Sequence, residues 1–161
     1  MFTVDGIQKF HGWTHASLNL VLDHLSTIPL GHYFTGLPNF ALPTLHEQMI
    51  HVLNCEGLWI HTLQGFRYVD REPEEFPSVA EMKLLQQEIV ERSRAYLSGL
   101  TIQQLNTDIE MLFPDGSVTV RTPALVFHHV FTHAFHHKGQ IAAMCRALGY
   151  PAPATDMNHF E

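Results

Sequence analysis

The 161-residue sequence predicts an all-α fold, a four-helix bundle with long crossover connections and a small β-hairpin ahead of the last helix. Three observations carry this expectation. Four long segments repeat apolar residues at helical spacing. Three of them open on a Thr or Ser cap, at Thr44, Ser78 and Thr122. The composition is 45% apolar, enough for one well-buried core and too short a chain for two, so a single domain over residues 1–161 is expected.

The first helix is expected over about residues 5–26, where Ile7, Phe10, Trp13, Leu18, Val21 and Leu25 recur three to five positions apart. His11, His15 and His24 also fall on it, and solvated or partly buried polar positions are the plainer reading of each, since a lone imidazole binds nothing without partners. A Gly- and Pro-containing connection leads to the second helix, about 45–64, opened by the Thr44/Glu47 capping box and closed by Gly65. Leu45, Met49, Val52, Trp59 and Leu63 form its apolar stripe. Residues 66–77 read as an acidic surface loop. Ser78 and Glu81 form another capping box, and the third helix runs to about Ser98 with Met82, Leu85, Ile89, Tyr96 and Leu97 inward. A short turn of helix follows Thr101. From 106 to 121 the period becomes alternating around Pro114-Asp115-Gly116, which predicts the hairpin.

The last helix, about 123–148, starts from Thr122 with Pro123 at a position where a missing N–H costs nothing, and ends before Gly149. Phe127, Phe131, Ala134, Ile141, Cys145 and Leu148 make its apolar stripe. It carries His128, His129, His133, His136 and His137, five of the 13 histidines in the chain. Spacing of four residues places two imidazoles on one side of a helix, within reach of one ion. Both His129/His133 and His133/His137 qualify. All three cannot serve one ion, because His129 and His137 are about 12 Å apart along the axis. A third ligand must come from another helix, and His51 stands in the same flanking relation to the stripe of the second helix.

Glu56 falls in the middle of that second apolar stripe. A buried carboxylate needs a cation or a hydrogen-bond donor such as an imidazole N–H, so Glu56 is a candidate for a supporting or catalytic role beside a plain structural ion pair. His46-Glu47 followed by His51 is not the H-E-x-x-H motif of zinc peptidases, because the second His is five residues on and faces elsewhere. Paired Glu-x-x-His motifs of a di-iron bundle are absent. Cys145 lies inside an apolar stripe and Cys55 beside the His51 flank; packed side chains are the better reading of both than nucleophiles.

The formal charge of −7, from 9 Lys+Arg against 16 Asp+Glu, with no basic block, argues against a nucleic-acid partner. No apolar run is long enough to span a bilayer and no signal peptide is recognisable, so no membrane is expected as partner. Two cysteines suggest no disulfide framework and fit a cytoplasmic location.

The stretch HVFTHAFHHKGQIAAMCRALGYPAPATDMNHF resembles the C-terminal signature of the DinB-like bundle superfamily, carried here by His129, His133, His136, His137, Lys138, Gly139, Gln140, Gly149, Tyr150 and Asp156. A second element of that family is matched by His51, Glu56 and Trp59. Lys138 stands where the family usually has Arg, keeping the charge without the bidentate geometry. The resemblance implies a four-helix bundle, often a homodimer, with a divalent metal held by three histidines, which map to His51, His133 and His137. It also implies a small-molecule substrate, since some members are thiol transferases or isomerases using a low-molecular-weight thiol.

Three neutral imidazoles around Zn²⁺ or Ni²⁺ leave a coordination position open, as in catalytic rather than structural sites. Such a position activates a thiol or a water. The expected function is therefore a metal-dependent enzyme of the thiol S-transferase type acting on a small electrophile, with Glu56 and His129 as candidate catalytic proton carriers. The alternatives are a metal-dependent hydrolase using bound hydroxide and a non-catalytic metal- or ligand-binding bundle.

Overall fold

The computed structural model describes residues 1–157 and 160, and its order of elements follows from local signals at each helix end. Helix α1 (Val4–Leu25) begins where the Thr3 hydroxyl accepts from Gly6 N, and a single-turn helix α2 (Leu30–Tyr33) follows Pro29. The Thr44/Glu47 box opens α3 (Leu45–Leu63), and Gly65, at φ +74°, takes the left-handed conformation just past its end. A 3₁₀ turn (Pro73–Glu75) precedes α4 (Val79–Ser98), which starts on the reciprocal Ser78/Glu81 pair. Another such box, Thr101 with Gln104, opens the one-turn α5 (Ile102–Leu105). Strands β1 (Ile109–Leu112) and β2 (Val118–Arg121) then form an antiparallel hairpin in the register Ile109↔Arg121 to Leu112↔Val118. Last comes α6 (Pro123–Ala147), capped by Thr122 and followed by Gly149 at φ +87°.

The four long helices close into a ring in which α3 packs on α6 and α4, and α1 packs on α6 and α4. Helices α1 and α3 are therefore diagonal, as are α4 and α6. Two connections cross the bundle: the one holding α2, and the one holding α5 and the hairpin. Apolar packing is concentrated at the two ends. One end joins Leu22, Leu25, Met49, Leu53, Met82 and Met144; the other joins Ile7, Ile60, Leu97, Phe127, Val130 and Phe131. Each such fully buried side chain contributes about 1.5–3 kcal/mol relative to exposure. Between them the apolar contact narrows to Leu18, Val52 and Ala134, and polar side chains take up the middle of the bundle.

Two features depart from the sequence reading. The hairpin packs through β1 alone: Met111 is buried, whereas Val118 and Val120 remain 55% and 48% exposed. Alternation in β2 thus does not report a buried face. On α1, His11 and His15 are fully buried, where solvated or partly buried positions were expected. Among the described residues no helix is long and apolar enough to cross a membrane.

Candidate metal centre

Helices α3 and α6 run side by side, and the flanks bearing His51 and His133/His137 face one another. His133 Nε2 lies 3.1 Å from His51 Nε2, and the ring centroids of His51, His133 and His137 are 4.4–4.9 Å apart in pairs. One ring nitrogen from each of the three falls within 4.8 Å of the others, so the group could hold a metal ion. For comparison, two nitrogens bound at 2.0–2.1 Å to a tetrahedral ion are about 3.3–3.4 Å apart. His137 is buried, His133 half-buried and His51 on the solvent side.

The tautomer of His137 follows from its neighbours. Gln48 Nε2 donates to the Leu42 carbonyl (2.9 Å), which can only accept, so Gln48 Oε1 is the atom facing His137 Nδ1 at 2.7 Å. His137 Nδ1 must then carry the proton, and Nε2 presents a lone pair towards His51 and His133. Gln48 is itself buried, which fixes this orientation.

Charge is kept off the cluster. Burial, followed by the neighbouring imidazoles His137 and His51, lowers His133 to about 3. Burial and then His51 and His136 lower His137 to about 4. Burial also lowers His51, with Asp70 opposing. At neutral pH these rings are neutral, the form that ligates.

One turn along the groove lie Cys55 and His129, with Cys55 Sγ 3.9 Å from His129 Nε2. The His129 ring is 5.8 Å from that of His133 and 5.3 Å from Trp59, which packs edge-on against Phe113 at 5.0 Å. Burial first, and then the charge of Glu56, push the Cys55 thiol up to about 12, and burial pushes Cys145 to about 11. Both are protonated thiols at neutral pH, as expected for packed side chains. His128 instead bonds back onto its own helix, Nδ1 donating to the Ala124 carbonyl at 2.7 Å.

Glu56 faces the other side of α3. Its Oε1 accepts from His11 Nε2 (2.9 Å) and Ser93 Oγ (2.6 Å), and its Oε2 lies 2.9 Å from His15 Nε2. No hydrogen bond joins it to His51, His133 or His137 among the described residues. The donors that a buried carboxylate requires do include imidazoles, but they come from α1. The signal for them was the i,i+4 spacing of His11 and His15, the criterion that singled out α6; Ser93 carries no comparable signal. Lys138 holds the chain beyond α6, donating to the Thr155 carbonyl (2.7 Å) and to Ser17 Oγ (3.0 Å).

The match to known proteins extends over the whole bundle. The family model described as DinB family matches residues 4–161. The chain is 25% identical over 158 residues to protein DinB of Bacillus subtilis (strain 168), covering 93% of this chain and 88% of that protein. The crystal structure of a conserved protein from Enterococcus faecalis shares the fold with a TM-score of 0.65 at 14% identity, covering 91% of this chain and 97% of that one. A histidine triad between α3 and α6, set in a bundle matched from end to end, thus makes the chain a member of the DinB family.

Proposed function

We propose that this protein is a metal-dependent enzyme of the thiol S-transferase type. His51, His133 and His137 would hold the ion, with Zn²⁺ or Ni²⁺ suited to the donor set. The observation that supports this reading is the convergence of His51 Nε2 and His133 Nε2 to 3.1 Å, beside His137, whose Nδ1 carries its proton and leaves Nε2 free to ligate. Without metal one Nε2 donates its proton to the other; with both protons on Nδ1 the two lone pairs face a shared ion instead. Three protein ligands also leave a position for an outside molecule.

When bound, a divalent ion supplies Lewis acidity at that position, lowering the pKa of a thiol or of water held there. His129 lies one turn from His133 on the same flank and takes the proton of an incoming low-molecular-weight thiol. The thiol sulfur then forms a bond to an electrophilic carbon of the second substrate, and the leaving group departs with its electron pair. Trp59 and Phe113 supply an apolar wall beside His129 for the body of a small electrophile. Glu56, the other expected proton carrier, is engaged by His11, His15 and Ser93, so we assign it to the interior of the bundle. The reading takes a homodimer from the resemblance and a cytoplasmic setting from the two cysteines; light scattering measures the assembly.

The test is turnover by the Zn²⁺- or Ni²⁺-loaded protein of an activated chloroaromatic, followed with and without a thiol such as cysteine or bacillithiol. Chloride release that requires the thiol and is lost in His133→Ala supports the proposal. Thiol-independent hydrolysis, or no turnover of any electrophile by stoichiometrically loaded protein, contradicts it.

A further inference from the structure

We propose that His11, His15 and Glu56 form a second metal site, enclosed within the bundle, which takes one divalent cation and ties α1 to α3. The three side chains belong to two helices, α1 and α3, and are 0%, 3% and 4% exposed, so whatever balances them must also be internal. One candidate ligand atom from each falls within 4.8 Å of the other two.

Two features of the cluster are unresolved by hydrogen bonding alone. The first is direction. His15 Nε2 lies only 2.9 Å from Glu56 Oε2, yet it makes no hydrogen bond, because its N–H axis does not point along the line between them. A ring nitrogen and a carboxylate oxygen that approach so closely without facing each other are aimed at a point beside that line. The second is charge. Burial opposes ionisation of Glu56, but the pull of His15 and the hydrogen bond from His11 hold its carboxyl well below the usual range. Its ion-pair partners among the described residues are these two histidines, with no Lys or Arg. A buried carboxylate needs a cation, and a metal ion at the point where the three side chains converge takes the place of a proton on the histidines.

The surroundings resemble those of the open triad. Gln48 fixes the proton of His137 there; here Gln86, buried on α4, has its amide 3.3 Å from His15 Nδ1. With His15 Nε2 ligating, Nδ1 carries the proton, and Gln86 must turn its amide over so that Oε1 accepts it, giving up the long 3.5 Å contact of its amide nitrogen to the His15 carbonyl. Ser93 Oγ donates to Oε1 and orients the carboxylate, leaving Oε2 towards His15. Two imidazoles and one carboxylate suit Zn²⁺ or Fe²⁺. The two sites are distinct: His51 and Glu56 are five residues apart on α3, about 140° round the helix from one another.

The test uses a full-length variant in which His51→Ala, His133→Ala and His137→Ala remove the open triad, so its result is independent of the proposed enzymatic function. After refolding from denaturant with excess Zn²⁺, or with Fe²⁺ under anaerobic conditions, and gel filtration, the protein should retain about one equivalent of metal that chelator removes only on unfolding. Adding Glu56→Gln should abolish that retention. Should the Glu56 substitution prevent folding, X-ray absorption on the Co²⁺-loaded triple variant decides instead. A coordination shell of two imidazoles with carboxylate oxygen supports the site, and any other shell overturns it. A folded triple variant retaining less than about a tenth of an equivalent with either metal also overturns it, leaving a proton as the cation of the cluster.

Discussion

Replacing Gln48 by Leu should weaken metal binding at a site that Gln48 never touches. The side chain is buried, and its amide is pinned by the Leu42 carbonyl at 2.9 Å, so its oxygen can only face His137 Nδ1, 2.7 Å away. Leu fills similar space but offers no acceptor, leaving the Nδ1–H unpaired and the ring free to change tautomer and orientation. Losing such an outer hydrogen bond costs about 10–100-fold in metal affinity, or about 1.4–2.8 kcal/mol. Gln48→Glu keeps an acceptor and adds negative charge next to the imidazole, so it should restore or tighten binding. Competition titration of Zn²⁺ against a chromophoric chelator measures both, with melting of the metal-free variants correcting for general destabilisation. Equal affinity for wild type and Gln48→Leu would refute the assigned tautomer and the reasoning built on it.

Three further outcomes are expected. His133 and His137 have folded pKa values of about 3 and about 4, below the unfolded value of about 6.5. Below pH ~6.5 the unfolded chain therefore binds protons that the folded chain refuses, so metal-free protein should lose stability as pH falls, levelling off below about 3. Urea midpoints against pH check this, and a His133→Phe variant should show a shallower slope. Gly57→Ala should destabilise by about 1–3 kcal/mol through overpacking, because a Cβ there would lie 2.6 Å from the Tyr68 ring, which is held by its hydroxyl donating to Asn54 Oδ1. Combining it with Tyr68→Ala should remove the added cost, and strict additivity would contradict the clash. Ser93→Ala removes a 2.6 Å donor to an ionised carboxylate and should cost about 1.5–3 kcal/mol in urea unfolding; no change would mean that Oε1 is satisfied without it.

The helix ends were legible because capping is local. Thr44 with Glu47, Ser78 with Glu81 and Thr122 with Pro123 declare themselves within four residues, and α3, α4 and α6 begin where these pairs place them. The triad was legible for a similar reason: His133 and His137 share a face by spacing alone, and His51 occupies the matching flank of α3. Where reading failed, the missing information was which faces meet. Nothing in the spacing of His11 and His15 says that α1 turns them towards Glu56, which the diagonal placement of α1 and α3 brings about. Nor does the alternation of Val118 and Val120 reveal that both side chains stay exposed on β2.

The account rests on one ion shared by His51, His133 and His137, and anomalous diffraction from crystals grown with Zn²⁺ tests that most directly. The expected result is a peak between α3 and α6, about 2.0–2.1 Å from a nitrogen of each ring, with its remaining position facing solvent or substrate. No peak among those three rings, or a fourth protein side chain closing the coordination sphere, would contradict it.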